Sequence, residues 1–216
     1  MSPTLLKSTN TVIVLDFETT GLSPDYGDRA IEIGAVKIEQ GAVVDQFQGL
    51  MNPGQRISAF IEDYTGISNT MLKSAPPCGE VMTAFADFAG GADLVAHNAS
   101  FDKRFLDAEL KRVKRKCGGK FACSMLVARR IYPQAENHQL GTLVAYANIP
   151  NDGTFHRALA DAQMTAQLWL KMVDHLRDEY RIEHVPFSLM QKLSATPKKA
   201  VKRLLQNYTS KQSAFC

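Results

Sequence analysis

The hydrophobic pattern begins with a dense β-branched run, Val12-Ile-Val-Leu15, closed a few residues later by Thr19-Thr-Gly21. Such a run predicts a buried strand. Residues 30–38 and 42–51 predict two more strands with Gly41 at the turn between them, so the first three form an antiparallel meander. Asn52-Pro53-Gly54 breaks the pattern. Residues 57–64 then predict a short helix ended by Thr65-Gly66, and residues 68–73 a turn closed by Ala75-Pro-Pro77.

Helical spacing returns at Val81, Met82, Phe85 and Phe88, predicting a helix over residues 79–89. Residues 93–96 predict a fourth strand. A helix follows, capped by Ser100 and running to about 113. Residues 121–123 predict a short fifth strand, and Ser124 caps a helix to about 131. Residues 140–147 predict another helix, and residues 158–176 a long amphipathic one with Ala162, Leu168, Trp169, Met172 and Leu176 on its apolar stripe. A meander followed by alternating strands and helices is an α/β pattern: one mixed β-sheet, antiparallel meander plus parallel strands, flanked by helices.

Composition narrows this picture. A chain of 216 residues with 45% apolar content fits one domain with an appendage. No run approaches membrane-span length, and residues 1–10 carry no secretory pattern. Cys78, Cys117, Cys123 and Cys216 have no zinc-like spacing, which predicts reduced thiols and a cytoplasmic setting. The formal net charge is only +3, but it is unevenly spread. Lys192, Lys198, Lys199, Lys202, Arg203 and Lys211 follow residue 183 with no acid among them, whereas residues 1–183 hold 19 basic and 22 acidic groups. Residues 1–183 therefore read as the domain (core 11–178) and 184–216 as a basic C-terminal extension, partly disordered. That extension is either a solvated helical face or a tail meeting nucleic acid or an acidic partner.

The candidate chemistry lies where acids end apolar elements. Asp16 and Glu18, two apart on a strand, share one face, with Phe17 on the other. Glu32, inside the second strand, reads as an outward polar position. Asp102 falls in the first turn of a helix just after His97-Asn98, and His156 precedes Asp161 by five residues at the start of the long helix. Each piece alone has a plain structural explanation. Two acids at the end of a buried strand, however, call for a cation or a shifted pKa.

In order, Asp16-x-Glu18-Thr-Thr-Gly, His97-Asn-x-x-Phe-Asp102 and His156-x-Ala-x-x-Asp161 resemble the DEDDh 3′→5′ exonucleases, a group that includes the epsilon subunit of bacterial DNA polymerase III, exonuclease X, ribonuclease T and oligoribonuclease. Tyr64-Thr-Gly-Ile67 is similar to the family's threonine-glycine-isoleucine segment. The resemblance spans residues 11–178. It implies a ribonuclease H-like fold and two Mg²⁺ (or Mn²⁺) ions held by Asp16, Glu18, Asp102 and Asp161. It also implies His156 as general base, and a product of 5′-mononucleotides.

It further implies a substrate site of Thr19, Thr20, Gly21, Leu22, His97, Asn98 and Phe101 around a single-stranded 3′ end, DNA more than RNA. A DNA polymerase or sliding clamp would be the protein partner; Gln212-Ser-Ala-Phe215 is similar to clamp-binding peptides. An RNA-trimming enzyme, a polymerase's proofreading subunit and a binding module with a lapsed site stay open as alternatives. Against the last, none of the five catalytic positions is substituted.

Overall fold

The computed structural model describes residues 12–151, 153 and 156–213, with the side chains of 211–213 excepted. Strand β1 (Val12–Thr19) pairs antiparallel with β2 (Ala30–Glu39), and β2 with β3 (Ala42–Leu50). On the other side of β1, β4 (Asp93–Ala96) and β5 (Phe121–Cys123) add in parallel, giving the order β3-β2-β1-β4-β5. This is the mixed sheet that the sequence predicts.

Alternation along β1 divides the molecule into two layers. Ile13, Leu15 and Phe17 face a core built with α3 (Cys78–Ala89) and α4 (Ser100–Arg112). Val12 and Val14 face a larger core that includes α5 (Ser124–Ile131), α6 (Leu140–Tyr146) and the 23-residue α7 (Ala158–Tyr180). Asp16 and Glu18 continue the Val12–Val14 face. The strand thus changes from valines under the middle of α7 to carboxylates under its first turn. There the helix lies directly on the sheet: a Cβ at Gly34 of β2 would stand 2.1 Å from the Leu159 nitrogen and 2.2 Å from the Ala158 carbonyl carbon.

Several local expectations differ from the structure. Residues 68–73, read as a turn, are largely helix α2 (Asn69–Ser74), which follows α1 (Ala59–Thr65); the Ser68 hydroxyl accepts from Met71 N and supplies the start signal. Ser100 and Ser124 are not caps, because Ala99 and Cys123 hold those positions. The Ser124 hydroxyl is turned instead towards His97. Glu32 does not face outward; it is fully buried.

The segment expected as a partly disordered extension is helical as far as Ser213, in α8 (Phe187–Ala195) and α9 (Val201–Ser213). Its apolar residues Val185, Phe187, Leu189, Met190, Leu193, Val201 and Leu205 join the α7 core, with the Phe187 ring 6.1 Å from Trp169. A basic, acid-free composition masks that apolar spacing in the sequence. Residues 214–216, including the end of the clamp-like peptide and Cys216, lie outside the described residues, as do residues 1–11. Cys78, Cys117 and Cys123 are free thiols. Among the described residues, no helix is long and apolar enough to cross a membrane.

Candidate active site

Three chain segments meet at the carboxyl end of β1. Oxygens of Asp16, Glu18 and Asp161 lie within 4.8 Å of one another. Asp161 reaches them because α7 starts over Gly34, and one of its oxygens, Oδ2, accepts the backbone N–H of His156 at 3.1 Å. Its other oxygen, Oδ1, is buried and has no hydrogen-bond partner. Asp102 comes from the opposite wall, in the first turn of α4, where the helix dipole favours an acid. Its Oδ1 accepts from Phe17 N at 3.2 Å, which ties α4 to β1. A bidentate pair further along α4 secures the same geometry: Arg29 donates to the buried Glu109 at 2.6 and 2.9 Å.

These acids line a cleft of about 540 Å³ with Thr19, Gly21, Leu22, His97, Asn98, Phe101 and His156. Leu22 is 80% exposed at its mouth, so it does not pack in a core. Phe101 leans on Phe105 with ring centroids 5.0 Å apart and presents its other side to the cleft. Asn98 sits at φ 62°, a conformation asparagine tolerates.

Two of the expected contact residues are placed differently. Thr20 is not among the cleft-lining residues; its hydroxyl accepts from Arg29 N and donates to Asp28, closing the loop behind Gly21. His97 borders the cleft but offers no free nitrogen. Burial lowers its pKa to about 4, so the ring is neutral; Nε2–H donates to the His138 carbonyl at 3.0 Å and Nδ1 accepts from Ser124 at 2.9 Å.

Sequence reasoning missed two participants. The Tyr64 ring lies tilted against that of His156 with centroids 4.0 Å apart, and Phe60 stacks on Tyr64 at 5.8 Å, forming an exposed aromatic rim. Only the Thr-Gly-Ile segment that follows hinted at this region. The second is Glu32, whose carboxylate receives Arg157, the residue after His156. No local signal links two residues 125 positions apart.

The electrostatics are those of acids forced together. Burial, then Asp102, Asp161 and Glu18, raise the Asp16 pKa well above its usual range. Burial and the neighbouring acids push Glu18 up to about 8. Asp102 rises to about 7, mainly by burial and against the two backbone N–H groups that lower it. Burial also raises Asp161. A set of hard oxygen donors with one buried lone acceptor fits a divalent cation such as Mg²⁺ or Mn²⁺.

A stability prediction follows from the signs. Between about pH 5 and pH 8 the folded protein keeps protons on Glu18 and Asp102 that the unfolded chain releases, so without metal it loses stability as pH rises through that window. A loss of only ~2 kcal/mol lowers Tm by about 4–8 °C in a chain of this size. In EDTA, Tm is expected to be lower at pH 8 than at pH 6, and millimolar Mg²⁺ to raise it more at pH 8. Thermal melts showing neither trend would contradict this assignment of the acids.

Comparison with known proteins agrees with the arrangement. An exonuclease family model (RNase_T) matches residues 13–169. The chain is 40% identical over 166 residues to DNA polymerase III PolC-type of Caldanaerobacter subterraneus subsp. tengcongensis, covering 77% of this chain and 12% of that protein. It is 40% identical over 165 residues to its counterpart in Bacillus subtilis, covering 76% and 11%. This chain therefore spans about an eighth of the length of the curated relatives it matches. The fold is similar to that of exonuclease X in complex with 5′ overhanging duplex DNA (TM-score 0.67, 24% identity, 85% of this chain and 99% of that one). It is similar also to the nuclease domain of 3′hExo, a DEDDh family member, bound to rAMP (TM-score 0.67, 19% identity, 80% and 94%).

Proposed function

Because the chain belongs to the DEDDh exonuclease family, we propose that it is a divalent-metal-dependent 3′→5′ exonuclease that shortens DNA in preference to RNA and releases 5′-mononucleotides. The observation that carries this reading is the convergence of Asp16, Glu18 and Asp161 in the cleft that His156 also lines, with a buried Asp161 oxygen left without a hydrogen bond. Asp16, Glu18, Asp161 and, across the cleft, Asp102 would hold two Mg²⁺ (or Mn²⁺) ions. Bound there, such ions supply Lewis-acid stabilisation of charge on the phosphate.

The chain's own residues do the rest. His156 removes the proton from the attacking water. Thr19, the Gly21 backbone and Asn98 hold the terminal sugar, with Thr20 bracing their loop from behind. Leu22 and Phe101 pack against the terminal base, and His97 fixes the wall between them. A single-stranded end is supported by the exposed apolar and aromatic groups at the cleft, Leu22, Phe60 and Tyr64, which suit base stacking.

DNA is favoured over RNA because the PolC-type relatives are DNA polymerases by name and exonuclease X is seen with duplex DNA. A polymerase or sliding clamp is the partner such relatives suggest, and the cytoplasm the compartment. The basic residues of α9 and the turn before it would meet nucleic-acid phosphates. End-labelled single-stranded DNA, mismatched duplex and RNA, each incubated with and without Mg²⁺, test the reading. A ladder shortening from the 3′ end, fastest on DNA and stopped by EDTA, is expected. Internal cuts, or shortening from the 5′ end, would overturn it; faster RNA decay would reassign the substrate.

A further inference from the structure

Glu32 occupies a costly position. It is fully buried and lies directly across from Glu18 in the β1–β2 register. Like charges opposite one another on a sheet repel, and burial alone would raise the Glu32 pKa. Hydrogen bonds instead hold it below its ordinary value. Arg157 donates through Nε at 3.1 Å and Nη2 at 2.7 Å, Ala158 N at 3.1 Å and Gln48 Nε2 at 3.0 Å. Three of these four bonds come from the two residues that follow His156.

His156 itself needs such support. Its φ of 62° is left-handed, a region few non-glycine residues occupy, though histidine does so more often than most. Conformations of this kind persist where the surroundings over-determine them. Here the His156 N–H is tied to Asp161, its ring lies against Tyr64, and Arg157 and Ala158 are fastened to β2 through Glu32.

We infer that Arg157 and Glu32 are positioning residues: the pair locks the entry to α7 so that the His156 imidazole stands over the acids, and it keeps Glu32 from joining them. The catalytic consequence rests on the exonuclease reading above, whereas the clamp can be tested without it. Arg157 is suited to the task because its planar fork engages both carboxylate oxygens, which a lysine cannot do.

Native-state hydrogen exchange of the wild-type protein provides the first arm. The Ala158 amide is expected to exchange as slowly as the central amides of β1; exchange at the rate of an open loop would overturn the clamp. The second arm is the double variant Glu32→Gln/Arg157→Met, which leaves no bare buried carboxylate. Its kcat is expected to fall roughly 10- to 100-fold, with KM and the Mg²⁺-induced rise in Tm retained. In the absence of metal and DNA the His156 ring protons are expected upfield in the wild type, where Tyr64 lies against the ring, and should move towards free-histidine positions in the double variant. Arg157→Lys should fall between wild type and the double variant. Wild-type kcat in the double variant, or unmoved His156 resonances, would refute the inference. An inactive wild-type protein would instead sink only the proposed function, because exchange and resonance positions do not depend on turnover.

Discussion

Asp16→Ala is expected to cut Mg²⁺-dependent release of mononucleotides at least ~10³-fold, the rate equivalent of about 4 kcal/mol of lost charge stabilisation. Asp16 stands between Glu18 and Asp161 on one side and Asp102 on the other, so its loss disconnects the two walls of the cleft. The same substitution is expected to stabilise the metal-free fold. Two carboxylates ~4 Å apart repel by about 4 kcal/mol at an effective dielectric near 20, and alanine removes those repulsions. At pH 8 in EDTA the variant should therefore melt above wild type, with a blunted response to Mg²⁺. An active variant, or one that melts lower in EDTA, would show that Asp16 does not hold the ions.

The second large effect is expected at His156. His156→Ala should lower kcat by roughly 10²- to 10⁴-fold, the range for removing a general base, and leave the Mg²⁺-induced rise in Tm in place. The imidazole is not one of the three groups whose oxygens converge, and only the backbone N–H of His156 bonds to Asp161. His156→Asn provides a control, since asparagine accepts the left-handed backbone more readily than alanine. Undiminished kcat in the asparagine variant would remove His156 from the base role.

The acids and the histidine were legible because their signals are local. Asp16 and Glu18 keep a period of two on a strand whose apolar run is unmistakable, and Asp102 and Asp161 each sit at the first turn of a strongly patterned helix. The sheet was legible for the same reason, down to the three residues of β5. What escaped depends on contacts distant in sequence. Glu32 looks like an ordinary polar strand position until Arg157 is brought to it. His97 reads as a substrate contact until Ser124 and His138, 27 and 41 residues on, occupy its nitrogens. Ser100 and Ser124 stand beside true helix starts, one residue too late to cap them. In α8 the apolar spacing was present, but the basic composition around it suggested solvent rather than core.

Residue 34 contributes no oxygen, nitrogen or charge to the cleft, yet the placement of one of its walls depends on a missing methyl group there. Any side chain would act as a wedge under the start of α7, carrying Asp161 and His156 away from β1 together. A mutational survey restricted to ionisable or polar positions would pass over this glycine, although it sets the spacing on which the whole constellation depends.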